Sequence, residues 1–115
     1  MKFNELCLLL ENREGMKGKS LTDQGYKYGV VSILRAKLES SGTTFEDMDF
    51  CTLSPKFALE HAQHIFAVEE EPSIIIKAMV SADMVFSAPN PGEYFYCGPS
   101  KQGKIVKRID SFEEE

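Results

Sequence analysis

No run in this chain approaches the roughly 20 apolar residues that a bilayer-spanning helix needs. The longest, residues 6–10, is too short for the core of an export signal and is followed by mixed charge. A cytoplasmic setting, with no membrane partner, is therefore the expectation. Cysteine is scarce. Cys7, Cys51 and Cys97 are odd in number and far apart. That pattern is not a disulfide framework, and no C-x-x-C spacing is present, so the three read as reduced thiols packed like small hydrophobes. Positive charge is also short: 13 Lys and Arg stand against 18 Asp and Glu, for a net charge of −5. Non-specific nucleic-acid binding needs a basic face that releases phosphate counterions, so no nucleic-acid partner is expected. P-loop, G-x-G-x-x-G and nucleophile-elbow motifs are all missing. His61 and His64 stand three apart and would neighbour one another on a helix. A metal would need a third and usually a fourth ligand at a recognisable spacing, and the sequence supplies none, so no metal is expected.

What is present is one domain's worth of chain, 115 residues with 43% apolar content. Phe3, Leu6, Cys7 and Leu10 recur at helical spacing, so residues 3–12 read as an amphipathic helix. Ser20 and Asp23 open a second helix in loose capping-box style. Its stripe is Tyr26, Val30, Ile33, Leu34 and Leu38, strongest over residues 30–39, and Ser40-Ser41-Gly42 ends it. Residues 45–48 read as a linker or a short turn of helix, and residues 49–53 have β character. Ser54-Pro55 is the sharpest helix start in the chain, because Ser is a favoured N-cap and Pro a favoured first helical residue. That helix is predicted over residues 55–69, with Phe57, Ala58, Ala62, Ile65 and Phe66 inward and Glu70-Glu71-Pro72 as its stop.

Residues 73–80 are apolar on both faces and predict a central strand. Shorter strands follow over 84–87 and 93–97, separated by the turn Pro89-Asn90-Pro91-Gly92. Residues 98–103 read as a loop, and residues 104–109 alternate as a last, half-exposed strand. The expected class is α+β, with N-terminal helices followed by a mainly antiparallel sheet. It divides into a helical part (1–45), a strand–helix–sheet part (46–110) and an acidic tail (111–115). The aromatic strand Tyr94-Phe95-Tyr96 suggests a binding surface. If Phe95 faces the core, Tyr94 and Tyr96 together present an amphipathic face to a protein partner. The alternative is a cross-strand aromatic pair that only covers the sheet.

From Asp49 onward the order of signals resembles the ADP-ribosyltransferase fold, in its later half. Thr52-Leu53-Ser54 stands where that family has a strand ending in Ser/Thr-x-Ser, and Ala58 and Ala62 follow in the helix. An apolar strand and a short strand come next, and Glu93 then opens a strand. Small proteins with this layout are frequent in bacteriophage genomes, which would make the location a host cytoplasm. The resemblance implies NAD as cofactor and Glu93 as the catalytic glutamate that binds the nicotinamide ribose. It implies that Thr52 and Ser54 shape the pocket and hold Glu93 by hydrogen bonds. Phe57 or Tyr28 would stack on nicotinamide, and Arg13 would meet the NAD phosphates.

Two positions depart from the family pattern. Pro91 stands where many members carry an acceptor-orienting Glu or Gln, and Arg13 follows an expected helix rather than a strand. The implied functions are three. One is a degenerate relative acting by binding a host or phage protein. Another is an active NAD-dependent mono-ADP-ribosyltransferase, and the last is a virion component. Without the resemblance, Ser54 is explained as an N-cap, Thr52 as a β-branched strand residue and Glu93 as a polar residue leaving a turn.

Overall fold

A computed structural model describes residues 17–111 of the chain. The helix expected over residues 3–12 and Arg13 lie outside them. Among the described residues there is one α-helix, α1 (Pro55–Glu69), and it is central in the chain rather than N-terminal. The strands are β1 (Val30–Leu38), β2 (Thr44–Phe45), β3 (Asp49–Cys51), β4 (Ser73–Ser81), β5 (Val85–Ser87), β6 (Tyr94–Tyr96), β7 (Lys101–Gln102) and β8 (Lys104–Ile109). All their pairings are antiparallel. They form a sheet β1-β4-β8, a smaller sheet β3-β6-β5 and the pair β2-β7. The class is α+β, with one helix and mainly antiparallel sheets.

The α1 boundaries follow from local chemistry. Ser54 sits in extended backbone and its Oγ accepts the Phe57 N–H at 3.2 Å, which satisfies one of the helix's orphan donors. Pro55 spends no N–H in the first turn. Glu70 closes the helix in the left-handed region, its N–H bonded to the Phe66 carbonyl. Ala58 and Ala62 are buried, and Leu59, Ile65 and Phe66 pack beside them. The two alanines bring the helix onto Leu34 and Ala36 of β1, Ile75 of β4 and Ile109 of β8. Ser73 is fully buried at this junction, and its hydroxyl donates to the Ala62 carbonyl at 2.6 Å.

The helix expected over residues 30–39 is instead β1, paired with β4 along its whole length from Val30↔Ser81 to Leu38↔Ser73. Val31 and Ile33 enter the core between the two sheets, with Ile74, Ile76, Ala78 and Val80 of β4. Leu34 and Ala36 face α1. A strand buried on both faces has apolar neighbours at steps of one and three, which imitates a helical stripe. The β-branched residues Val30, Val31 and Ile33 favour the extended form.

The second layer of the core joins Phe45, Cys51, Val85 and Tyr96 to those strands. Tyr96 is 1% exposed, and its hydroxyl donates to the Pro99 carbonyl at 2.5 Å. The aromatic strand therefore does not present Tyr94 and Tyr96 as a docking face. Tyr96 is core and Tyr94 is half-buried against it, so the two line the inside of the small sheet. On the sheet's other side Phe95 stacks on Phe50 with ring centres 4.8 Å apart.

Residues 98–103 are not wholly loop, because Lys101 and Gln102 pair with β2. Gly103 follows, where a Cβ would meet the Thr43 carbonyl at 2.8 Å and Ile76 and Phe45 at 3.1 Å each. The bare backbone there lets β8 turn close over the core. No helix among the described residues is long and apolar enough to cross a membrane.

Candidate functional site

The two sheets meet at one rung. Leu34 of β1 and Thr52, just past β3, exchange both backbone hydrogen bonds, at 2.8 and 2.9 Å. Beside this rung, between β1, the start of α1 and the turn before β6, lies a cleft of about 310 Å³. Leu34, Ala36, Cys51 and Ala58 give it apolar walls, and Arg35, Thr52, His61 and Glu93 give it polar groups. Phe50 and Phe57 add aromatic surface. A concave, mainly apolar site with a few convergent polar groups is the usual form of a small-molecule pocket.

Each polar group is placed by a different element. Arg35 comes from the middle of β1, and its Nη1 donates to the Phe50 carbonyl at 2.8 Å and lies 3.8 Å from Asp49 Oδ1. Its Nε is buried and has no hydrogen-bond partner among the described residues. An unspent buried donor is uncommon in a folded protein. Thr52 is buried, and its Oγ1 accepts the Ser54 N–H at 3.1 Å. Glu93 leaves the turn of residues 89–92, where Gly92 adopts φ +83° beside the Phe57 ring. Glycine adopts that conformation without the penalty a Cβ carries. The turn is closed by the Glu93 N–H on the Asn90 carbonyl at 3.2 Å, and Asn90 Nδ2 donates to Glu93 Oε2 at 3.3 Å.

His61 lies two turns into α1, on the rim. Partial loss of water lowers its pKa first, and the Arg35 charge and His64 lower it further; Glu93 acts in the opposite sense. The Cys51 thiol at the cleft wall is pushed up to about 12, chiefly by burial, against the opposing pull of Arg35. It is no nucleophile at neutral pH.

Of the residues singled out in the sequence, Glu93, Thr52 and Phe57 line this one cleft. Ser54 does not line it; it is exposed and spent on capping α1. The expected hydrogen bonds from Thr52 and Ser54 to Glu93 are not formed. Both hydroxyl oxygens serve the start of the helix, and Asn90 holds the carboxylate instead. Tyr28 is 72% exposed, away from the cleft, with its ring edge-on to Tyr26. Arg13 lies outside the described residues. Two residues of the cleft lie outside the site expected from sequence: Arg35, hidden by reading β1 as a helix, and His61, which sequence offers as a metal-ligand candidate or a residue at the edge of the helix's apolar stripe. An arginine inside a β-branched run was the signal for the first.

Among the described residues no group of three or more His, Cys, Asp or Glu side chains could hold a metal ion. No protein-family model, curated protein or solved structure matches this chain.

Proposed function

We propose that this chain is an ADP-ribosyltransferase-like protein that binds the nicotinamide-riboside end of NAD in the Arg35–Glu93 cleft. The observation that carries the reading is the convergence of Glu93 with Thr52 and Phe57, from two separate stretches, and with a cation from β1. The cleft's volume suits one ring and one sugar, so the remaining nucleotide would extend along the surface.

The chemistry assigns each group a part. Phe57 offers a face to the planar nicotinamide ring. The Glu93 carboxylate would face the positive charge that develops on the ribose as nicotinamide departs, and preorganised opposite charge is a strong form of transition-state stabilisation. Arg35 is the cation lining the cleft that would meet a phosphate, the part first looked for in Arg13.

The test is thermal unfolding with added NAD. Ligand at 100 times its dissociation constant adds about 2.7 kcal/mol to the folded state. Wild-type protein should show a clear rise in Tm at millimolar NAD, and Phe57→Ala should weaken binding by about fivefold, corresponding to an aromatic stacking contribution of about 1 kcal/mol. An unchanged wild-type Tm across that range would overturn the reading.

A further inference from the structure

A second depression, of about 270 Å³, shares Phe57, His61 and Glu93 with the main cleft and continues past Glu60 and His64. The two hollows thus meet at Glu93 and His61. Groups at such a boundary face a molecule held on one side and a reactant arriving from the other. Resting on the NAD reading above, we infer that the second hollow admits the acceptor, a molecule with a neutral O–H nucleophile, and that His61 takes the proton from that hydroxyl as it attacks.

Two observations support this. His61 is on a rigid helix, one turn beyond Phe57, so its distance from the ring-binding wall is fixed. Its surroundings favour the neutral imidazole, the form able to accept a proton. The charged and titratable groups facing His61 are Arg35 from β1, Glu93 from the turn before β6, and Glu60 and His64 from its own helix.

The step balances as follows. The C1′–N bond to nicotinamide breaks, and its electron pair leaves with nicotinamide, which becomes neutral. The hydroxyl oxygen forms the new bond to C1′. Its proton passes to His61 and then to solvent. With water as acceptor the product is free ADP-ribose; with a hydroxyl-bearing side chain it is a protein-linked ADP-ribose.

The experiment follows nicotinamide release from NAD by wild type, His61→Gln and His61→Ala, between pH 5 and 8, at matched NAD binding measured by thermal shift. A general base contributes about 10²- to 10⁴-fold. Compared at equal NAD occupancy, His61→Gln should lose release by that factor and lose the acid limb of the pH profile. Added imidazole should partly restore His61→Ala, which a purely structural histidine would not allow. Chromatography for free ADP-ribose, and labelled-NAD transfer to protein, separate water from a side-chain acceptor. Wild-type release that survives unchanged in His61→Gln overturns the inference and leaves the NAD reading standing. NAD binding without release in wild type does the same. No binding by wild type removes both.

Discussion

Cys51 is a thiol in a candidate site that chemistry has kept out of use. It is 4% exposed, and burial holds its pKa near 12. Thiolate, not thiol, reacts with alkylating agents. In native protein at pH 8, iodoacetamide should leave Cys51 unmodified over hours, and denaturant should make it reactive; mass spectrometry of digested protein reads the difference. His61 makes a second prediction with a defined sign. Its folded pKa lies below the ordinary histidine value. As pH falls through about 6.5 the unfolded chain takes up the proton first, so the folded state loses stability there. The contribution is fully present above that range and declines down to the folded pKa. Urea midpoints of wild type and His61→Gln, measured from pH 7.5 to 5.5, should diverge in favour of His61→Gln at the acid end. Parallel curves would mean His61 titrates alike in both states.

At the scale of elements, α1 is bounded by one favourable and one costly residue. Ser54→Ala removes the cap on Phe57 and should cost about 1 kcal/mol. Glu70 holds a left-handed backbone that penalises a Cβ, so Glu70→Gly should stabilise by up to about 1 kcal/mol. Chemical denaturation with unchanged slope checks both. This helix was legible in the sequence because its signals are local: Ser54-Pro55 at one end, Glu70-Glu71-Pro72 at the other. β4 was legible because its apolar residues run on both faces. β1 was not, since burial on both of its faces put Ile33 next to Leu34 and produced the spacing of a helix. Periodicity alone cannot separate those cases, and the β-branched residues were the arbiter. The same misreading concealed Arg35. Tyr96 went astray for a related reason. Alternation showed that Tyr94 and Tyr96 share a face, but not that this face is the one turned inward, under the large sheet.

Across the whole molecule, the sheet β1-β4-β8 lies between α1 and the sheet β3-β6-β5, and the cleft opens where the three meet. Its polar groups come from residues 35, 52, 61 and 93, each unremarkable in its own stretch. Glu93 and Thr52 could be placed in a site from sequence because the order of elements suggested a pattern. Their partners could not, because the crossing of β1 beside Thr52 brings Arg35 to them, and the packing of α1 on β1 brings His61. The central claim is that this meeting point is where a nicotinamide nucleotide binds. The most direct measurement is an amide NMR titration of the isotope-labelled protein with NAD. The account expects shift changes that saturate and concentrate on residues 34–36, 50–53, 57–61 and 92–94. Saturating changes centred elsewhere, or none at millimolar NAD, would contradict it.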